Sequence, residues 1–121
     1  VAVIDPATGD ITKKIGFEVA GIAPEALQPV GVRVTSDGKK VFVALGPSNR
    51  VAVIDGETDE VKDYLLVGQR VWQLGFTPDE KYIISTNGNS NDISVIDVEA
   101  EKVIKSITVG EQPWGVVVSP N

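Results

Sequence analysis

An all-β repeat fold is what this sequence predicts, and two observations carry the prediction. The first is local. Residues 69–110 hold four short β-type runs, at 71–76, 82–86, 93–96 and 103–109, separated by turn clusters at 77–80, 87–92 and 97–101. Val, Ile, Tyr and Phe suit a pleated surface, whereas Pro, Asn, Asp and Gly favour turns. The second observation is periodic. Val53-Ile54-Asp55 returns as Val95-Ile96-Asp97, 42 residues on. Val34-Thr35-Ser36-Asp37 returns as Phe76-Thr77-Pro78-Asp79 and again as Val118-Ser119-Pro120-Asn121, each time after 42 residues. Gly46-Pro47-Ser48-Asn49 matches Gly88-Asn89-Ser90-Asn91 at the same step. A period in the low forties with four strands per unit is the signature of β-propeller blades, each a small twisted antiparallel sheet.

In chain order, 1–27 reads as a partial blade plus an inserted loop. Val1-Ala2-Val3-Ile4-Asp5 matches the third strand of the unit and 11–17 the fourth. Asp5 to Ser36 spans 31 residues where Asp55 to Pro78 spans 23, so this copy carries eight extra residues, near 18–27. A helical turn is expected after Pro24, and Ile22, Ala26 and Leu27 read as a plug packed on a blade. Insertions of this kind also fall on the working face of repeat proteins. Residues 28–68 form a blade with strands at 30–34, 41–45, 51–54 and 61–67. Residues 69–110 form the next, and 111–121 hold the first strand of a split blade, at 114–118. The expected total is eleven strands in about three blade-equivalents.

Composition narrows the function. The chain has 121 residues, 42% of them hydrophobic and 23% charged, as in an ordinary globular protein. No apolar run approaches the ~20 residues a membrane helix needs, and no signal-like N-terminus is seen. A net charge of −6 with scattered Lys and Arg argues against a nucleic-acid surface. Cysteine and histidine are absent. Disulfides, Cys- or His-based metal and haem sites, and Ser-His-Asp or Cys-His nucleophiles are therefore excluded within these residues.

Few residues point to chemistry. Asp5, Asp55 and Asp97 recur after Val-Ile and read as turn residues bonding their own backbone rather than as a metal ring. Asn87, Asn89, Asn91 and Asp92 around Gly88 lack the closing Glu of a calcium loop and read as hairpin-turn chemistry. Trp72 and Trp114 occupy one repeat position, 42 residues apart. First strands line a propeller's channel, so both indoles are expected near the axis or one rim, beside Gln69, Arg70, Gln73, Gln28 and Gln112. Aromatic, amide and guanidinium groups together suit a planar or acidic ligand or a partner. The alternative is that each Trp packs between blades. No catalytic residue, metal ligand or cofactor is expected.

The segments 78–87, 92–97 and 102–110 resemble the YVTN family of β-propeller repeats. Its signature tetrad corresponds to Phe42-Val43-Ala44-Leu45 and Ile84-Ser85-Thr86-Asn87, with Thr86-Asn87 the closer match. The chain is more narrowly similar to the C-terminal part of propeller proteins associated with PQQ-dependent alcohol catabolism. That likeness is carried by Pro24-Glu25-Ala26-Leu27-Gln28-Pro29-Val30-Gly31-Val32, by 64–74 with Gly68-Gln69-Arg70-Val71-Trp72, and by Pro113-Trp114-Gly115-Val116-Val117-Val118. The resemblance implies an extracytoplasmic (periplasmic) protein found beside quinoprotein dehydrogenases, without a catalytic role.

Propellers close with about four to eight blades, so about three blade-equivalents do not complete a ring. The expectation is a non-enzymatic scaffold or binding module that completes a ring with other copies of itself. A homodimer would supply about six blade-equivalents. The runner-up is an accessory of quinoprotein metabolism, binding a small ligand or a protein through the Trp-bearing rim.

Overall fold

The computed structural model describes residues 1–120; Asn121, matched above to Asp37 and Asp79, lies outside the described residues. The chain opens with β1 (Ala2–Ile4) and β2 (Ile11–Lys14), an antiparallel pair. A short 3-10 helix follows at Pro24–Ala26, started by the fixed φ of Pro24. Next come β3 (Val32–Val34), β4 (Lys40–Ala44), β5 (Arg50–Asp55) and β6 (Val61–Leu66), hydrogen-bonded in that order. These four form the second sheet, after the β1–β2 pair, and a third sheet repeats the pattern with β7 (Val71–Phe76), β8 (Tyr82–Asn87), β9 (Asp92–Asp97) and β10 (Lys102–Thr108). All pairings within both sheets are antiparallel.

The repeat of the sequence is a repeat of hydrogen-bond register. Phe42 faces Val53 across β4–β5, and Ile84 faces Val95 across β8–β9, the same pairing one period later. The turns repeat as well. Left-handed backbone occurs at Asn49 and Asn91, at Asp59 and Glu101, and at Arg70 and Gln112, each pair one period apart. Gly38 and Glu80 form a fourth such pair. This conformation costs an L side chain ~1–2 kcal/mol. Its return under different side chains shows that blade geometry, more than the local residue, sets these turns.

Successive side chains on a strand point to opposite faces, and in β4 both faces are covered. Val43 and Leu45 join Ala52, Ile54 and Leu27 in one cluster, packed by Val1, Ile15, Phe17, Val19 and Ile22. Phe42 and Ala44 join Val51, Val53 and Leu65 in another, shared with Val71, Leu74, Ile83 and Ile96 of the next sheet. Phe42 and Phe76 meet there edge-to-face, with ring centroids 6.0 Å apart. The sheets stack like fanned cards, closest at their inner strands: Gly31 N–H donates to the Trp72 carbonyl at 3.0 Å.

The inserted loop does what its apolar residues allow. Leu27 is buried, Ile22 packs beside it against the second sheet, and Ala26 is half-buried at the end of the short helix. Two expectations change. The strand expected at 11–17 ends at Lys14; Ile15 still exchanges backbone hydrogen bonds with Val1, at 2.8 and 3.0 Å, and beyond it Phe17 and Val19 pack on the core. The eleventh strand, at 114–118, makes no ladder among the described residues. A first strand pairs with a second strand, and these residues have none beside them.

Candidate functional site

The seven residues singled out from the sequence lie at one end of the blades. The turns after β4 and β8 meet the crossings into β7 and out of β10 there. Arg70 is the hub. Its left-handed backbone, φ 57°, swings the chain into β7, and its N–H donates to Asn49 Oδ1 at 2.8 Å. Its guanidinium carbon lies 4.1 Å from the centre of the Trp72 ring system, a cation–π contact. Nη1 donates to Gln28 Oε1 at 3.4 Å, and Gln28 Nε2 donates to the Glu25 carbonyl at 2.8 Å. The inserted loop is thus wired through Gln28 and Arg70 to Trp72. No carboxylate forms an ion pair with Arg70 among the described residues.

Two glycines make room for this stack. A Cβ on Gly46 would stand 2.8 Å from Arg70 Nη1, and one on Gly88 would stand 2.6 Å from Trp72 Nε1. Trp72 is half-buried in that slot. Trp114, its repeat partner, is 62% exposed, with Gln112 in the place of Arg70 and, among the described residues, no turn in the place of Gly88. The same position therefore has two environments.

The glutamines are only partly gathered. Gln73 sits against Gly31, where a Cβ would lie 2.9 Å from Oε1. Gln69 and Gln112 are exposed and held by their backbones, through Ser90 Oγ at 2.8 Å and Asn91 Oδ1 at 2.9 Å. Arg70, Trp72, Gln28 and Gln73 thus form a compact rim, with Gln69, Gln112 and Trp114 around it.

Sequence reasoning passed over two features of this end. Thr86 links the last two first-strand segments: Gln73 N–H donates to its hydroxyl at 3.1 Å, and the hydroxyl donates to the Trp114 carbonyl at 2.9 Å. Asn87, expected in a turn, ends β8 and is fully buried. Its Nδ2 donates to Asp92 Oδ1 at 2.9 Å and Ser94 Oγ at 3.0 Å, while Oδ1 accepts from Ser85 at 3.1 Å. Where this sheet has Asn87, Ser85 and Ser94, the second sheet has Leu45, Val43 and Ala52. The signal was present as polar letters at sites where the preceding copy is apolar.

The recurrent aspartates cap their own turns. Asp5 Oδ1 accepts from Ala7 N–H at 2.8 Å, Asp55 Oδ1 from Glu57 and Thr58, and Asp97 Oδ1 from Ala100 at 2.8 Å. The Thr58 and Glu57 amides hold Asp55 below the usual carboxylate range. The Thr35 and Thr77 hydroxyls do the same for Asp37 and Asp79. At this opposite end a groove of about 400 Å³ runs between the two four-stranded sheets, lined by Thr35, Lys40, Glu80, Tyr82, Val98 and Glu99. Lys40 of its lining pairs with Glu101 at 3.0 Å, which also takes Lys62 at 2.8 Å. None of the seven rim residues lines it.

No family model matches the sequence, and no curated protein does. Solved structures do match. Hydrazine synthase of Kuenenia stuttgartiensis superposes with a TM-score of 0.70 at 24% identity, over 80% of this chain and 28% of that one. The dihydro-heme d1 dehydrogenase NirN, in complex with DHE, gives 0.69 at 15% identity, over 88% and 21%. Apo AztD of Citrobacter koseri gives 0.60 at 19%, over 71% and 25%. Their shared architecture decides the fold. The chain is an arc of a β-propeller. It spans less than a third of each of these chains, and at such identities the likeness concerns the fold. The arc contains two complete blades, with the β1–β2 pair of another before them.

Proposed function

We propose that this arc is a non-catalytic scaffold and binding module that associates with further blades, in the first instance those of another copy, to complete a ring. One observation carries the reading: both ends present faces built for a neighbouring blade. Ile4 and Ile11 are each 54% exposed at the first end. At the other, Tyr82, Ile107 and Trp114 are exposed around half-buried Ile84, Ile93 and Val95. A soluble monomer rarely leaves large contiguous apolar faces in water. The test is the absolute mass in solution over a wide concentration range, by light scattering after size exclusion. A closed species of twice the chain mass is expected; a monomer at every concentration would refute the assembly.

A second reading is supported by the Arg70–Trp72 stack. A guanidinium without an acidic partner, fixed against an indole and flanked by amides, suits an acidic or planar ligand. With the resemblance to YVTN repeats and to PQQ-associated propellers, it favours an extracytoplasmic accessory of quinoprotein metabolism binding through this rim. Titration with pyrroloquinoline quinone, followed by tryptophan fluorescence, checks it. Quenching that disappears in Trp72→Phe supports the reading, and an unchanged spectrum at saturating ligand refutes it for that ligand.

A further inference from the structure

We infer that the partner of the open third sheet is the β1–β2 end of a second copy, docked head-to-tail, with Lys105 of one chain facing Asp10 of the other. The inference rests on the self-assembly proposed above and specifies its surface and register. It comes from the way the arc already packs on itself. At each internal junction one sheet offers a forward face and the next a backward face. The forward face of the second sheet is Phe42, Ala44, Val51, Val53 and Leu65, all buried in the cluster shared with the third. The corresponding residues of the third sheet, one period on, are Ile84, Thr86, Ile93, Val95 and Ile107. The backward face of the second sheet includes Ile54 and Val61, packed on the first sheet's side. Their counterparts in the first sheet are Ile4 and Ile11, each 54% exposed. The two ends of the arc are therefore the two halves of one repeating interface. Such a heterologous contact closes into a ring when the rotation allows.

Charge sets the register. At the first junction Lys13 of β2 reaches across to the turn of the second sheet, donating to the Thr58 carbonyl at 2.9 Å and lying 3.8 Å from Asp59 Oδ2. The position corresponding to Lys13 in the third sheet is Lys105, and the turn corresponding to Thr58-Asp59 in the first is Thr8-Gly9, followed by Asp10. Lys105 and Asp10 are both exposed, and neither is in an ion pair among the described residues. A basic group at one end thus stands where the first junction places Lys13, and an acidic group at the other stands one residue beyond the counterpart of Asp59.

The terminal segment supports this placement. Thr86 holds the Trp114 carbonyl at 2.9 Å, and a Cβ on Gly75 would meet Val116 Cγ1 at 3.1 Å. Residues 114–118 thus lie against the third sheet in the position of a next blade's first strand. The β1–β2 pair of the second copy brings that blade's third and fourth strands. Sliding β1 inward by one strand to pair directly with 114–118 would move Asp10 away from Lys105, so the pair reports the register.

The unmodified protein provides the experiment: coupling by a water-soluble carbodiimide, which joins touching ammonium and carboxylate groups, followed by peptide mass spectrometry. The second sheet stands between the two ends, so a Lys105–Asp10 peptide must come from the doubled-mass band. The Lys13–Asp59 peptide, formed within one chain, is the internal reference. Lys105→Glu should weaken association up to about fivefold for each of the two contacts of a closed dimer, about 25-fold in all, as for exposed ion pairs, and adding Asp10→Lys should restore it. A dimer that yields the Lys13–Asp59 peptide but no Lys105–Asp10 peptide, and ignores both substitutions, overturns this register while leaving self-assembly standing. A protein monomeric at every concentration overturns both.

Discussion

The Thr86 hydroxyl accepts a hydrogen bond from Gln73 N–H at 3.1 Å and donates one to the Trp114 carbonyl at 2.9 Å. One junction earlier the corresponding link is direct, from Gly31 N–H to the Trp72 carbonyl at 3.0 Å, and Ala44 stands in the place of Thr86. A hydroxyl therefore carries a contact between first strands that the preceding blades make through backbone alone. It tethers a segment with no ladder of its own.

Thr86→Val keeps the shape and removes the tether. Thr86 is 1% exposed, so its loss strands a buried donor and acceptor, at a cost of ~1–3 kcal/mol. In a Trp72→Phe background, acrylamide should quench Trp114 more efficiently after the change, and Thr86→Ser should return the original value. Equal quenching in all three proteins would show that the bond does not hold the segment.

Asn87→Leu installs the residue found at this position in the preceding blade. Alone it leaves fully buried Ser94 and Ser85 short of a partner and takes one donor from half-buried Asp92, and a loss of ~2–3 kcal/mol is expected in urea unfolding. Adding Ser85→Val and Ser94→Ala converts the site to the apolar set of the second sheet and should recover part of that loss. A triple variant less stable than the single one would contradict this account.

Gly88→Ala tests the slot that seats the rim. The added methyl would stand 2.6 Å from Trp72 Nε1, so the indole must move off its place under Arg70. A shifted tryptophan emission maximum and a destabilisation of ~1–3 kcal/mol from overpacking are expected. Gly110→Ala, where a Cβ meets nothing within 4 Å, is the control and should change neither.

Acid should loosen the arc at its outer edge. Burial pushes Glu101 up, but hydrogen bonds and charge from Lys62 and Lys40 outweigh it and hold the carboxyl below its ordinary value of 4.5. A carboxyl depressed in the folded state contributes stability that is present above its unfolded value and lost as pH falls through the folded one. Asp37, Asp55 and Asp79 are depressed in the same sense, so the urea midpoint should drop as pH falls below about 4.5. Glu101→Gln should lower the midpoint at pH 7 and flatten that acid limb. An acid limb unaltered by Glu101→Gln would show that the Lys40–Glu101–Lys62 cluster has no part in it.

The 42-residue step and the alternation of apolar residues were enough to give the blades, their strand order and the turn-capping role of Asp5, Asp55 and Asp97, because these depend on local chemistry repeated in register. The plug made by Leu27 and Ile22 was legible for the same reason: apolar residues in an inserted loop need a core to enter. Other features depend on neighbours that no single copy encodes. Trp72 and Trp114 are one letter at one repeat position, yet only Trp72 lies in a completed sheet, in a slot formed with Arg70 and Gly88. Residues 114–118 spell a strand, but a strand is a pairing between segments, and its partner is not beside it. Asn87 reads as a turn residue until the fold brings Asp92, Ser94 and Ser85 around its amide, and burial then makes every one of those bonds necessary. Local chemistry repeated in register thus set which segments become strands and in what order they pair. Which faces are covered and which side chains meet came from the packed fold, since burial and hydrogen bonding belong to residues brought together from distant parts of the chain.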